Sequence, residues 1–365
     1  MARSLTYYFF AILLILSTIT LVCWRLMTSS FAMSLLRPDG SKVNEDGLLM
    51  SWKPHKQQTK AQQTCGKGFN LRGYSEKDRN EDLIIYTEVP KCASTTFMQI
   101  LSNACKNSKT YSTHYTMPQV IQDLLKVPSF SSKQKFVKIQ VLPFTKQPYI
   151  FMGHLTFFDF NELGYKQPLF IDLVRDPVER WISLYYYTRA DSYFRNWLKL
   201  TPDEIKQTLG DCLHLWIRQA GCMGRDAKDT ATCLKARPFS GCKGGHIVST
   251  YPEWFSGKYA HINSSMVSIE RAKANIEKYY TFIGITEHFK ETLVAMETIL
   301  PRFKNELSEA YKSTERANVG HNKVRPNNSS IAVMRELLAD DYDLYKFILQ
   351  RFYIHLKCLG VHGII

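Results

Sequence analysis

Glycine-rich phosphate loops, zinc-spaced cysteines and internal repeats are all absent from this chain. Without Gly-x-x-x-x-Gly-Lys-Ser/Thr it lacks the phosphate cradle of the nucleoside triphosphatases. No Asp-rich segment follows its apolar runs, which argues against magnesium-dependent triphosphate hydrolysis. Cys-x-x-Cys and His-x-x-x-His pairs are missing, so no zinc site is expected, and the expected metal content is none. No low-complexity tract interrupts the chain. Acidic residues are also scarce: 33 Asp and Glu stand against 47 Lys and Arg, a formal charge of +14. Such a balance favours anionic partners, whether nucleic acid, phospholipid surface or acidic polysaccharide.

What is present describes a globular protein with an anchor. Hydrophobic residues make up 45% of the 365 positions and aromatics 13%, ample for a sizeable core. Ser4 to Trp24 is 21 residues without a charge, enough to span a ~30 Å hydrocarbon core as a helix. The run exceeds a signal-peptide core and no small-x-small cleavage site follows at once. The expectation is a type II arrangement: a cytoplasmic tail over 1–3, a signal-anchor over 4–25, a polar luminal stem over 26–80 and a folded domain over 81–365. Nine cysteines, four of them at Cys212, Cys222, Cys233 and Cys242, suit disulfides in an oxidising compartment. Sequons at Asn263, Asn327 and Asn328 are candidate glycosylation sites there. The secretory pathway removes cytosolic nucleic acid from the possible partners.

From residue 82 onward, strand-like and helix-like segments alternate. "DLIIYTEV" (82–89), "PYIFMGHL" (148–155), "PLFIDLV" (168–174) and "YTFIGITE" (280–287) read as buried strands. "TTFMQILSNAC" (95–105) reads as a helix. So does the stretch after Arg175, with Asp176 as N-cap, Pro177 at the first helical position and Glu179 completing a capping box. "EHFKETLVAMETILPRF" and "SSIAVMRELLADDYDLYKFILQRF" read as amphipathic helices. The alternation predicts an α/β domain with a mainly parallel sheet.

In an open parallel sheet, ligands sit beyond the carboxyl ends of the strands. Lys91, His154 and Arg175 each fall at such an end, and Ser183 lies two turns into the following helix. The plainer alternatives are a solvated lysine, a satisfied core histidine, and Arg175 and Arg180 pairing with Asp176 and Glu179. Backbone amides of residues 91–96 at a helix N-terminus would hold one phosphate. Arg175 and Ser183 would suit a second, since guanidinium binds phosphate bidentately.

"VPKCAST" after a strand, "GHLTFFDF", "IDLVRDPVERWISLYYYTR" and "FIGITEHFKETLVAMETILPRF" together resemble the Golgi heparan sulfate and uronyl 2-O-sulfotransferases, in order over about residues 83–355. The resemblance implies a P-loop-like sulfotransferase fold in the Golgi membrane. It also implies 3′-phosphoadenosine 5′-phosphosulfate as donor, a glycosaminoglycan uronic acid 2-hydroxyl as acceptor, and a homo-oligomer, trimeric in the family. Carried over, Lys91, Cys92, Ala93, Ser94 and Thr95 hold the 5′-phosphosulfate, Arg175 and Ser183 the 3′-phosphate, and Lys323 belongs to a late donor-binding loop. His154 becomes the general base and Lys91 the cation at the leaving group. His114 and Arg189 line the acceptor. The family also implies two local disulfides, Cys212–Cys222 and Cys233–Cys242.

The chain departs from the family on the acceptor side. Glu88 stands where the heparan enzymes carry Arg, Gln99 and Ser102 where they carry Asn and Tyr, and Met152 where some carry a second His. Besides the uronosyl transferase, two readings stay open: a sulfotransferase acting on another secreted glycan or glycoprotein, and a silent glycan-binding scaffold.

Overall fold

A computed structural model of the chain describes residues 79–361 except 109–110, 119–120, 122–128, 143–147, 238–242, 244–249, 258–265 and 315–322. The expected tail, anchor, nearly all of the stem, Cys242 and Asn263 lie outside the described residues. Five strands form one sheet: β1 (Arg79–Tyr86), β2 (Ser112–Tyr115), β3 (Tyr149–Met152), β4 (Gln167–Val174) and β5 (Tyr280–Ile285). Their order is β2-β3-β1-β4-β5 and every pairing is parallel, giving an α/β fold. After β1 the chain forms β2 at the edge and then β3 between it and β1, and crosses to β4 and β5 on the other side. The carboxyl end of β1 is therefore the topological switch point, where a crevice opens.

β4 is buried along its whole length, as a continuous apolar run covered on both faces must be. β2 was not expected as a strand. Its sequence STHY is short and polar, and as an edge strand it alternates between half-buried and exposed positions. Helix α1 (Ser94–Ser108) leaves the loop after β1, and α2 (Pro177–Ala190) leaves the loop after β4. Asp176 caps α2 as expected, accepting from the Val178 and Glu179 amides. The reciprocal half of the box is made by another residue. The Asp176 amide donates to Glu287, because Glu179 is engaged by Arg175 and Arg325.

Three more helices complete the frame of the site: α3 (Tyr251–Ser256), α4 (Asn328–Leu337) and α5 (Ala339–Cys358). The sequence pattern merges α4 and α5 into one helix, but the chain turns at Leu338. The two halves bury their faces in different cores. Leu344, Ile348 and Phe352 of α5 join the core around the sheet. Ile331, Val333 and Met334 of α4 join a second cluster with Val178, Trp181, Ile182 and Tyr185 of α2.

The disulfides are a correction. Cys222 bonds to Cys233, not to Cys212, and Cys233 is thereby unable to reach Cys242. The helix over Leu209–Gln219 ends just before Cys222, and a short turn returns the chain into the helix over Ala227–Lys235 that carries Cys233. Cys212 and Cys358 are disulfide-bonded too. Cys92 and Cys105 are buried free thiols.

Candidate active site

The loop after β1 makes its turns without glycine. Glu88, Lys91 and Ala93 all adopt positive φ, at 57°, 66° and 59°, a region that costs side-chain-bearing residues about 1–3 kcal/mol each unless their surroundings hold them there. A buried Asp172 in β4 does part of this. Its carboxyl accepts from the Thr87 hydroxyl, from the Val89 amide at 3.3 Å and from the Leu173 amide at 2.8 Å. Burial pushes this carboxyl up to about 7 against those bonds. Below the loop, Arg180 of α2 donates from Nε to the Pro90 carbonyl at 3.0 Å. The Tyr251 hydroxyl of α3 donates to the Arg175 carbonyl at 2.6 Å and accepts the Arg175 amide at 3.0 Å, with the Cys92 sulfur 3.6 Å away. One tyrosine thus joins the loop after β1 to the loop after β4. The first turn of α1, which carries no acidic residue, opens into the space above them. Its amides lack intrahelical acceptors and its dipole favours an anion.

His154 is placed by the sheet itself. The Gly153 and Leu155 amides donate to the carbonyls of Tyr86 and Thr87, extending the β3–β1 pairing past the strand ends. Gly153 is required here, since a Cβ would stand 2.8 Å from the Ile121 side chain and 3.1 Å from the Thr116 carbonyl. Between those amides the His154 Nδ1 meets the Glu88 carbonyl at 2.7 Å. A carbonyl can only accept, so Nδ1 carries the proton and Nε2 carries the lone pair. Burial, with Lys91 nearby, lowers the His154 pKa against the effect of that bond. The ring is therefore neutral at physiological pH, the form a base requires. Trp254 of α3 buttresses it edge-on and donates from its indole to Thr87 at 3.0 Å.

Lys91, Arg175 and Lys323 gather into one group of cations. The Lys91 ammonium lies 3.4 Å from the centre of the Tyr187 ring. Burial, then Lys323 and Arg175, push it down to about 7. Lys323 is lowered by burial and by the same Arg175. The segment bearing Lys323 is fastened to α2 by Tyr186, which donates to the Val324 carbonyl at 2.8 Å, and by the Arg325–Glu179 ion pair. Arg175 stands 3.8 Å from Glu179 and 3.9 Å from Glu287, yet its buried Nε has no hydrogen-bond partner. Glu179, buried Ser183 and Tyr187 follow at four-residue spacing and share one face of α2. Mutually repelling cations, an orphaned guanidinium N–H and a helix N-terminus without an acidic residue in its first turn are what a ligand with two anionic groups satisfies.

A model of the Sulfotransferase family matches residues 78–354. The chain belongs to the sulfotransferase family. It is 28% identical over 281 residues to heparan sulfate 2-O-sulfotransferase 1 of Xenopus laevis, covering 75% of this chain and 72% of that protein. The Homo sapiens protein of that name is 27% identical over the same shares. Uronyl 2-sulfotransferase of Mus musculus is 22% identical over 284 residues, 76% of this chain and 64% of that protein.

This sulfotransferase brings Lys91, Arg175 and Lys323 together, with Ser94, Thr95, Ser183 and His154 on the same loops and helices. Cys92 faces away from the crevice: burial pushes its thiol up to about 11 and it packs on Tyr251. His114 sits in β2 in register with Phe151 of β3, bonded to Thr116 at 3.1 Å, and burial lowers its pKa. Arg189 is buried, stacks 3.4 Å from the Tyr185 ring, and donates to the carbonyls of Glu204, Tyr185 and Lys243. Asn327 caps α4 through its side-chain oxygen while remaining exposed, as Asn328 does.

Sequence reading missed Asp172, Tyr187, Tyr251 and Asp341. The one available signal was Asp172, a carboxylate inside an otherwise apolar strand. Arg175 does reach Glu179, as the plainer alternative holds. Arg180 instead pairs with Asp341 of α5 at 3.7 Å, both buried.

Proposed function

We propose that this protein transfers a sulfuryl group from 3′-phosphoadenosine 5′-phosphosulfate to the 2-hydroxyl of a uronic acid in a glycosaminoglycan. The observation that carries the reading is a neutral, tautomer-fixed His154 with Lys91 of the Lys91–Arg175–Lys323 cation group as its neighbour, at the switch point of the sheet. Heparan and uronyl acceptors come from the names of the relatives. The donor and its 3′-phosphate come from the family and from the fit of two anionic groups to this crevice.

The donor, when bound, supplies an activated sulfuryl group. The amides at the start of α1 and the hydroxyls of Ser94 and Thr95 hold its 5′ end, and Arg175 with Ser183 holds the 3′-phosphate. Lys91 neutralises charge developing on the leaving oxygen, where a cation already in place is most effective. An arriving anion reverses the repulsion from Lys323 and Arg175, so donor binding and Lys91 protonation are coupled. His154 takes the acceptor hydroxyl proton on Nε2, while Nδ1 stays bonded to Glu88. Residues 4–25 anchor the chain in the Golgi membrane, with residues 81–365 luminal and assembled as a homo-oligomer.

The test is incubation of the full-length chain with radiolabelled donor and mixed glycosaminoglycans. Label in the polymer fraction supports the reading. A protein that binds 3′-phosphoadenosine 5′-phosphate yet labels no glycan or glycoprotein is a scaffold, and the reading fails.

A further inference from the structure

Among its cations the crevice holds one acid beside the base. Glu88 is only 3% exposed and sits at φ 57° on the strained loop. Its carbonyl accepts from His154 Nδ1 at 2.7 Å, and its Oε2 stands 3.5 Å from the same nitrogen. Oε2 is buried without a hydrogen-bond partner, while the Ser94 hydroxyl bonds to the carboxyl from the first turn of α1. A buried acid in left-handed backbone, touching the base and the anion cradle at once, combines costs that a passive loop position avoids.

We infer that Glu88 is a positioning residue of the transfer reaction: its carboxylate stands beside His154 Nδ1 and stabilises the imidazolium formed as Nε2 takes the acceptor proton. The inference rests on the sulfotransfer reading above. The proton balance is simple. The acceptor proton ends on Nε2, the Nδ1 proton stays between the Glu88 carbonyl and carboxylate, and in the active, ionised form Glu88 neither gains nor loses a proton. Burial and Lys91 both disfavour a cation on His154, and the carboxylate opposes both. Through Ser94 the same group ties the base to the loop that holds the donor, so the two reacting sides keep one register.

The arrangement carries a pH signature. Glu88 faces Asp172 of β4, Tyr86 of β1, Tyr115 of β2, Ser94 of α1 and His154 beyond β3, with Lys91 past the histidine. Burial first, then the Asp172 carboxylate, push Glu88 up to about 8. Below that pH the neutral acid predominates and the imidazolium loses its partner, so turnover rises as pH approaches 8.

The experiment compares the full-length chain with Glu88→Gln and Glu88→Asn, the latter better suited to left-handed backbone. The expected result is a fall in kcat of about 10- to 100-fold. Affinity for 3′-phosphoadenosine 5′-phosphate should stay within about threefold, and the rise in kcat toward pH 8 should flatten. Nitrogen-15 histidine spectra of the same proteins should show a His154 inflection near pH 8 in the wild type, reporting the neighbouring Glu88 carboxyl, that is absent from both variants. That readout needs no acceptor, so it separates failure of this inference from failure of the sulfotransfer reading. Persistence of that inflection in the variants, an unchanged kcat–pH profile, or loss of nucleotide affinity in step with kcat would each overturn the inference.

Discussion

Arg180→Met keeps most of the side-chain volume and removes the guanidinium beneath the donor loop. That guanidinium donates to the Pro90 carbonyl at 3.0 Å, faces the Asp341 carboxylate at 3.7 Å, and lies 4.7 Å from the centre of the Tyr251 ring. Asp341 also accepts the Tyr251 amide at 2.8 Å. Removing one partner of a buried pair costs about 3–5 kcal/mol, because the other charge is left uncompensated. Here burial already pushes Asp341 up to about 6 despite Arg180. Without the guanidinium the carboxyl moves well above neutrality and takes up a proton at pH 7. Holding a proton more tightly when folded than unfolded means that stability is lost as pH rises. In the wild type this loss stops near pH 6, whereas in the variant it continues through 7. One further pH unit corresponds to about 1.4 kcal/mol. Urea unfolding should therefore show a loss of about 3–4 kcal/mol at pH 7, smaller by about 1.3 kcal/mol at pH 5, where Asp341 is protonated in both proteins. Adding Asp341→Asn should recover part of the loss. A loss under about 1 kcal/mol at pH 7, or one that does not shrink at pH 5, would refute the view that this pair anchors the loop.

Replacing His154 by Ala should reduce transfer by at least about 100-fold while leaving nucleotide affinity nearly intact, measured by single-turnover kinetics and calorimetry; a variant retaining most of its rate would remove the base assignment. Ala93→Gly relieves a non-glycine residue at φ 59° and should stabilise the chain by about 0.5–1 kcal/mol in thermal unfolding. A destabilised variant would show that the Ala93 side chain contributes packing greater than its strain.

The central strands were legible because their apolar runs are continuous, and α2 because Asp176 and Pro177 announce its start. The placement of Lys91, Arg175 and His154 at strand ends followed from those strands. Other features depend on pairings that spacing does not encode. Arg180 has acids adjacent in sequence, yet its buried partner is Asp341 on the last helix. β2 hid because four polar residues on a sheet edge carry no hydrophobic signature. The split at Leu338 hid because both halves share a helical period while facing different cores. The strained loop hid because its positive-φ residues are Glu, Lys and Ala, not glycine. The Cys222–Cys233 bond followed a tight helix–turn–helix, against the pairing that resemblance implied.

The most direct measurement of the central claim is the position of the transferred label. The full-length chain would be incubated with radiolabelled 3′-phosphoadenosine 5′-phosphosulfate and, separately, heparosan, desulfated heparin, chondroitin and dermatan, and the products digested to disaccharides. Label on the uronic acid 2-position of at least one polymer is the predicted result. Label only on hexosamine, or none on any of the four from a protein that binds the nucleotide, would contradict it.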